Sequence, residues 1–306
     1  MKITEDVHKL LDKRSVILLG QHNIKTLTQL MSTKPEKLSS ILSVSYTAVC
    51  QMRRDLFSEH ASFPTVGLEC YQSRLERDVM VSTGSDNLDT VLAGGLKGGK
   101  VYEVYGYPGT GKTQLCLSAA ASCLKSGGTV VYIDTKGDFC ADSMLEVLRQ
   151  WCGDVDNAVL DRMKVCSAVT ASALLQSVTM VVKTMSDVSL VLVDNVCVPV
   201  MRLVTQDNVR TSVTTGARVS QGLHQLAARG AAVLIVNNVK GVTSDQTSST
   251  TVMTSVSPAL GTVWNTTANI RLLLTRESDD SVSAIVMRGI NSGDKCSIQF
   301  GSKGIR

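Results

Sequence analysis

Hydrophobic residues in the first sixty positions recur at helical spacing in short runs, and polar residues separate the runs. This spacing predicts helices around Val7, Leu10 and Leu11, and over residues 26–31, 35–42 and 46–57. The run from Ser62 to Gly67 breaks the periodicity, because Pro64 and Gly67 disfavour a continuing helix. We therefore predict a small all-α N-terminal domain over 1–58 and a linker over 59–80.

From residue 82 onward, apolar β-rich runs alternate with helical stretches. The predicted strands are 101–105, 129–134, 190–194, 232–237, 270–275 and 283–287, and the predicted helices are 113–125, 143–151, 171–185 and 218–229. Such alternation predicts an α/β core with a mainly parallel central sheet over 81–306. Residues 241–257 are almost entirely Ser, Thr, Val, Gly and Asp, and predict a loop, either a binding loop or a plain surface loop.

Composition agrees with a buried parallel sheet and narrows the classes of function. Of the 306 residues, 43% are hydrophobic and 4% aromatic, as expected for strands covered by helices. Nine cysteines without C-x-x-C spacing argue against zinc and predict reduced thiols in an intracellular protein. No signal peptide or 18-residue apolar stretch is present, so neither secretion nor membrane insertion is expected. A net charge of +4 permits contact with nucleic acid without requiring it.

One motif carries specific chemistry, because residues 106–113 match G-x-x-x-x-G-K-[ST] between a predicted strand and a predicted helix. In such a P-loop the glycines let backbone N–H groups face phosphate oxygens, the lysine supplies positive charge near the β- and γ-phosphates, and the hydroxyl can bind Mg²⁺. The predicted ATP-binding residues are Gly106, Tyr107, Pro108, Gly109, Thr110, Gly111, Lys112, Thr113 and Gln114.

A carboxylate at the end of another apolar strand would complete the Mg²⁺ site. The run from Leu190 to Asp194 has this form, so we predict Thr113 and Asp194 as the metal ligands. An aspartate at this position could instead only cap the following turn. The strand nearest the P-loop strand is expected to end at Asp134, followed by Lys136 and Asp138, where a group acting on the attacking water would lie.

Several segments resemble the RecA/Rad recombinase family. They are 82–89, 94–96, 111–116, 132–137 and 260–271, and together they cover most of residues 82–275. The resemblance implies a RecA-like P-loop NTPase core. Within the family, residues 45–56 and 62–64 resemble the D-type branch of the eukaryotic paralogues, which implies a nuclear protein that acts with sister paralogues in homologous recombination repair of DNA double-strand breaks.

One departure from the family's pattern concerns hydrolysis. Active recombinases carry a catalytic glutamate at the position where this chain has Lys136. A lysine with a reference pKa of about 10.4 stays protonated at neutral pH and cannot accept a proton from water. We therefore predict ATP binding with weak hydrolysis, with Asp138 as an alternative base. The family also reads the γ-phosphate from a polar side chain, here either Asn237 or Asn238.

The resemblance also places DNA and partner contacts. Two DNA-facing loops map to 199–216 and 240–257; the basic residues in and just after the first are Arg202, Arg210 and Arg218. The second loop has one lysine and no aromatic residue, so weak or shared contact with DNA, preferentially single-stranded, is expected.

Recombinases polymerise through an F-x-x-A linker. Here it reads Phe63 to Val66, and the larger valine with Pro64 favours pairing with other recombinase paralogues, one through the N-terminal domain and one through the core.

Three hypotheses follow. The first is an ATP-binding subunit of a paralogue mediator complex with weak hydrolysis. The alternatives are an active strand-exchange, DNA-dependent ATPase and a RecA-like ATPase in a role outside recombination. Lys136 and Val66 argue against strand exchange, and the N-terminal resemblance argues against the third hypothesis.

Overall fold

The computed structural model describes residues 2–60, 66–75, 79–153, 157–202, 209–240, 256–277, 281–301 and 304–305. The chain divides into two compact units, residues 1–70 and 71–306. Among the described helices, none is both long enough and apolar enough to cross a lipid bilayer.

The first unit is helical. Its helices are α1 (Lys13–Gln21), α2 (Leu27–Ser32), α3 (Pro35–Leu42) and α4 (Tyr46–His60). Leu19, Leu30, Leu38, Val49 and Met52 from these four helices are fully buried and form one apolar cluster.

The predicted first helix was placed too early. A short 3-10 turn, Glu5–Val7, lies there, and α1 begins at Lys13 because the Asp12 carboxylate accepts a hydrogen bond from the Ser15 N–H at 2.8 Å.

The predicted linker contains a helix, α5 (Gly67–Leu75). Gly67 is the first residue of this helix, and the linker bounds 59–80 stay a prediction. Val66, Leu68 and Tyr71 are exposed. Phe63 lies outside the described residues.

The second unit contains the strands and the remaining helices. The strands are β1 (Met80–Val81), β2 (Leu96–Lys97), β3 (Val101–Gly106), β4 (Val130–Asp134), β5 (Met163–Ser167), β6 (Leu190–Asp194), β7 (Ala232–Asn237), β8 (Ile270–Arg276), β9 (Ser281–Arg288), β10 (Lys295–Gly301) and β11 (Gly304–Ile305). The helices are α6 (Asp86–Val91), α7 (Lys112–Lys125), α8 (Ala141–Cys152), α9 (Ala171–Thr184), α10 (Cys197–Met201), α11 (Val209–Ala228) and α12 (Gly261–Trp264).

Among the described residues, nine strands form the central sheet in the order β11-β10-β9-β8-β3-β7-β6-β4-β5, and β1 pairs with β2 separately. The strands from β8 to β5 in this order are parallel, whereas β9, β10 and β11 add an antiparallel edge. This arrangement confirms the predicted α/β fold with a mainly parallel sheet. The expectation that the strand ending at Asp134 lies next to the P-loop strand was wrong, because β7 and β6 lie between β3 and β4. The carboxyl ends of β3, β6 and β7 consequently meet at one edge of the sheet, where ligands bind in open α/β folds.

Both faces of the sheet are covered. In β4, Val130 and Tyr132 pack into the apolar layer that α7 and α8 share, and Val131 and Ile133 pack into the layer of α9 and α11. The six predicted strands are confirmed as β3, β4, β6, β7, β8 and β9. Strands β4, β6 and β7 are buried along their whole length, as continuous apolar runs predict.

Candidate nucleotide-binding site

The P-loop runs from the end of β3 to the start of α7. A side chain at Gly106 would place its Cβ 2.4 Å from the Leu274 carbonyl oxygen, so this position admits only glycine. Gly109 and Gly111 have φ values of 77° and 79°, in the left-handed region that favours glycine. The loop therefore adopts the tight turn that directs backbone N–H groups and a helix N-terminus toward an anion.

Lys112 is folded back onto this loop. Its ammonium donates to the carbonyl oxygens of Gly106 at 2.8 Å and Tyr107 at 2.6 Å, and to the Thr110 hydroxyl at 3.3 Å. Burial, together with the nearby charge of Lys136, lowers the pKa of Lys112 to about 8. The loop thus holds a desolvated cation at the position where a phosphate group would be received.

At the end of β6, Asp194 accepts two hydrogen bonds and forms one ion pair. Its Oδ2 accepts from the Thr113 hydroxyl at 2.6 Å and from the Tyr132 hydroxyl at 3.1 Å, and its Oδ1 lies 2.8 Å from the Lys136 ammonium. Burial raises the pKa of Tyr132 well above its ordinary value, so this hydroxyl remains a donor. The structure therefore brings together Thr113 and Asp194, as the sequence predicts, and adds Lys136 to the pair.

The loop after β4 positions Lys136. The Asp134 carboxylate accepts backbone N–H bonds from Lys136 and Gly137, each at 3.0 Å, and from Phe139 at 3.1 Å. Burial raises the pKa of Asp134, but these bonds outweigh that effect and hold it below its ordinary value. The turn is consequently closed around an ionised carboxylate, and it directs the Lys136 side chain toward the P-loop.

The two asparagines at the end of β7 have different environments. Asn237 is fully buried, and its Nδ2 donates to Glu103 Oε1 at 2.7 Å and to the Ala259 carbonyl oxygen at 3.0 Å. Asn238 lines the nucleotide cleft, where its Oδ1 accepts from Asn195 Nδ2 at 3.1 Å. Of the two, only Asn238 is placed to meet a ligand.

Glu103 is the centre of a buried polar network that the sequence analysis missed. It lies in the middle of β3 without exposed surface, and its Oε2 lies 2.5 Å from Arg271 Nε of β8. With Asn237 of β7 bound to its other oxygen, Glu103 joins three adjacent strands. A charged residue inside an otherwise apolar strand is the sequence signal that indicates such a site.

The cleft beside the P-loop has a volume of about 520 Å³. Six of the predicted ATP-binding residues line it together with Lys136, namely Pro108, Gly109, Gly111, Lys112, Thr113 and Gln114. The cleft is also lined by Asn195 and Arg276, which the sequence analysis missed. Asn195 directly follows β6, and Arg276 is the last residue of β8. Polar residues at the carboxyl ends of parallel strands are the sequence signal that could have identified both.

The residues predicted for DNA contact are described in part. Arg202 and Arg218 are exposed, and Arg202 Nη1 donates to the Val169 carbonyl oxygen at 3.3 Å. The side chain of Arg210 and residues 203–208 and 241–255 lie outside the described part of the chain. The prediction of a loop over 199–216 is wrong for much of this range, since residues 199–201 belong to α10 and residues 209–216 belong to α11.

Gly111 offers a test of the loop's packing. A Cβ at this position would lie 2.4 Å from the Phe300 ring of β10, whereas a Cβ at Gly109 would meet no atom within 4 Å. We expect Gly109→Ala to cost about 1 kcal/mol from the left-handed backbone alone, and Gly111→Ala to lower the thermal unfolding midpoint further because the ring must move. Equal midpoints for the two variants, measured without nucleotide, would contradict the packing of Phe300 on the loop.

The fold and this site define a RecA-like P-loop protein. The Rad51 family model matches residues 74–306. The chain is 31% identical over 271 residues to "DNA repair protein RAD51 homolog 4" of Bos taurus, covering 85% of this chain and 80% of the relative. It is 29% identical over 276 residues to the Mus musculus protein of the same name, covering 86% and 81%.

An archaeal relative, "DNA repair and recombination protein RadB" of Methanoculleus marisnigri, is 41% identical over 83 residues, covering 27% of this chain and 35% of the relative. The chain belongs to the Rad51 family. Proteins of this family bind ATP, and the relatives named above are DNA repair or recombination proteins.

Proposed function

We propose that the chain is an ATP-binding recombinase paralogue that acts in homologous recombination repair of DNA double-strand breaks as a subunit of a paralogue mediator complex. In this proposal bound ATP stabilises an interface, and intrinsic hydrolysis is weak. The observation that carries the proposal is the position of Lys136, whose ammonium lies 2.8 Å from Asp194 Oδ1 inside the nucleotide cleft.

Weak hydrolysis follows from the groups around the cleft. The Lys136 ammonium has three donors and no acceptor, so it can bind a phosphate oxygen but cannot take a proton from water. Asp134 is engaged by backbone N–H groups, and its lowered pKa makes it a poor base. Asp138, the alternative base, is exposed on the loop.

The P-loop residues retain what nucleotide binding requires. Backbone N–H groups of the loop and the Lys112 ammonium would hold the phosphates, and Asn238 is the proposed reader of the γ-phosphate in place of Asn237. The Thr113 hydroxyl and the Asp194 carboxylate are the donors that Mg²⁺ prefers. In the described conformation, however, the Lys136 ammonium contacts both groups, so the site does not fit Mg²⁺ without displacement of this lysine.

Similarity to the named repair proteins supports a nuclear role and partners of the same family. We propose that one sister paralogue binds through the N-terminal helical unit and another through the core. Val66 stands where recombinases have the small alanine of the F-x-x-A linker, and 62% of its surface is exposed. The larger side chain favours a partner pocket of different shape, with Phe63 as the proposed anchor.

Single-stranded DNA would be bound weakly through Arg202, Arg210 and Arg218.

Steady-state ATP hydrolysis, measured beside equilibrium ATP binding, tests the proposal. We expect the purified chain to bind ATP with negligible turnover, and Lys136→Glu to hydrolyse ATP faster because a carboxylate then faces the cleft. Asp138→Asn is the matched control and should leave the low rate unchanged. Fast turnover by the unmodified chain would overturn the proposed role, and failure to bind ATP would remove its basis.

A further inference from the structure

The Lys136 ammonium stands where a metal ion would have to stand. Its Nζ lies 2.8 Å from Asp194 Oδ1 and 3.3 Å from Thr113 Oγ1, which are the carboxylate and hydroxyl predicted to bind Mg²⁺. A magnesium ion needs oxygen ligands at about 2.0–2.1 Å. An ion that reached these two oxygen atoms would therefore collide with the ammonium.

The backbone that carries Lys136 is held firmly at this place. On one side, Asp134 binds the N–H groups of Lys136 and Gly137. On the other, the Thr135 N–H donates to the Asp194 carbonyl oxygen at 2.9 Å, and the Thr135 hydroxyl donates to the Asn195 carbonyl oxygen at 2.6 Å. Thr135, the residue before Lys136, is therefore hydrogen-bonded to the end of β6, where Asp194 lies. Because the backbone is already fixed there, the Lys136–Asp194 ion pair costs little conformational entropy.

The ammonium is nevertheless accessible from the cleft. Its side chain has 26% of its surface exposed and lines the cleft beside Lys112 and Thr113, whereas the Asp194 side chain has only 3% exposed. The ammonium has three N–H donors, of which one is directed at Thr113 Oγ1, so a donor remains for an incoming oxygen beside the ion pair with Asp194. A phosphate placed between Lys112 and Lys136 would also relieve the repulsion of two neighbouring cations.

From this geometry we infer that Lys136 takes the place of the divalent cation, so that the P-loop binds a nucleoside triphosphate without Mg²⁺. The inference rests on the proposed ATP site and specifies its ionic requirement. Asp194 then serves to position the lysine. The lysine bridges protein and phosphate as a fixed monovalent cation, and the bound nucleotide no longer depends on the supply of free metal.

Binding of ATP to the full chain by calorimetry, in excess Mg²⁺ and in excess EDTA, tests this inference. We expect the dissociation constant of the unmodified chain to differ by less than about threefold between the two buffers, which is below about 0.7 kcal/mol. In Lys136→Met, removal of the cation should weaken binding in EDTA by at least about tenfold, and Mg²⁺ should restore it because Thr113 and Asp194 become free to bind metal.

Two further variants complete the comparison. Lys136→Arg retains the cation and should bind ATP in EDTA better than Lys136→Met does. Lys183→Met, which removes an exposed lysine of α9, should behave as the unmodified chain in both buffers. Restoration of binding by Mg²⁺ also shows that Lys136→Met is folded, and a thermal unfolding curve of each variant checks this independently.

The possible failures are distinguishable. If the unmodified chain binds ATP in neither buffer, the proposed nucleotide site itself is wrong. If it binds ATP only with Mg²⁺, the proposed nucleotide site is retained, but the inference that Lys136 takes the place of the metal ion is overturned. If Lys136→Met binds ATP with Mg²⁺ more tightly than the unmodified chain binds it in either buffer, Lys136 obstructs the site, and the inference is likewise overturned.

Discussion

Lys112→Ala should reduce the affinity for ATP at least about 30-fold, because a hydrogen bond from a charged donor contributes about 2 kcal/mol. The nucleotide-free protein should change little, since within the described part of the chain the ammonium donates to the loop's own oxygen atoms, and burial already disfavours its charge. The measurement is ATP binding by calorimetry, together with the ATP-induced rise of the thermal unfolding midpoint, which should disappear.

Lys183→Ala is the matched control, because it removes an exposed lysine from α9 of the same unit and should leave both quantities unchanged. Unaltered ATP affinity in Lys112→Ala would show that the loop does not receive the phosphates through this lysine. A large loss of stability without ATP would instead show that Lys112 mainly holds the loop together.

Glu103→Leu should be among the most destabilising single changes in the core. It leaves the Arg271 guanidinium, whose side chain is only 12% exposed, without its carboxylate, and it removes the acceptor for Asn237. Breaking a buried ion pair from one side costs about 3–5 kcal/mol. At about 2–4 °C per kcal/mol for a unit of this size, the thermal midpoint should fall by about 6–20 °C.

Two comparisons separate this loss from a general effect of substitution. The double variant Glu103→Leu, Arg271→Leu should recover a large part of the stability, because the unpaired charge is removed. Glu277→Gln breaks an exposed ion pair with Lys295, which lies 2.7 Å away, and should have a far smaller effect, since solvent screens that pair. If the double variant is less stable than Glu103→Leu, the unpaired Arg271 is not the cause of the loss.

The sequence predicts the sheet's interior better than its edges. Strands β3, β4, β6 and β7 are buried along their whole length and, apart from Glu103 in β3 and the last residues of the strands, consist of runs of apolar residues and tyrosines. Strand β5 was missed because it is largely exposed at the edge of the sheet and carries Lys164, so it lacks such a run. Helix α1 was missed because its start depends on the cap at Asp12, a local hydrogen bond that hydrophobic spacing does not reveal.

In the candidate site, too, some features are predictable from the sequence and others are not. A P-loop is predictable because its glycines and lysine are needed at fixed spacing in one short segment. The contact of Lys136 with Thr113 and Asp194 joins three separate segments, and it depends on the parallel pairing of β4 with β6. Position 136 could be identified from the sequence, but the partner of its ammonium could not, because side-chain direction depends on the turn around Asp134.

The turn around Asp134 is built from main-chain donors, and this has an evolutionary consequence. Asp134 binds the N–H groups of residues 136, 137 and 139, which every residue type except proline supplies. The shape of the turn is therefore independent of which side chain stands at 136. A lysine and a glutamate can be exchanged at this position by one substitution without rebuilding the turn, so the charge that faces the cleft can change sign in a single evolutionary step.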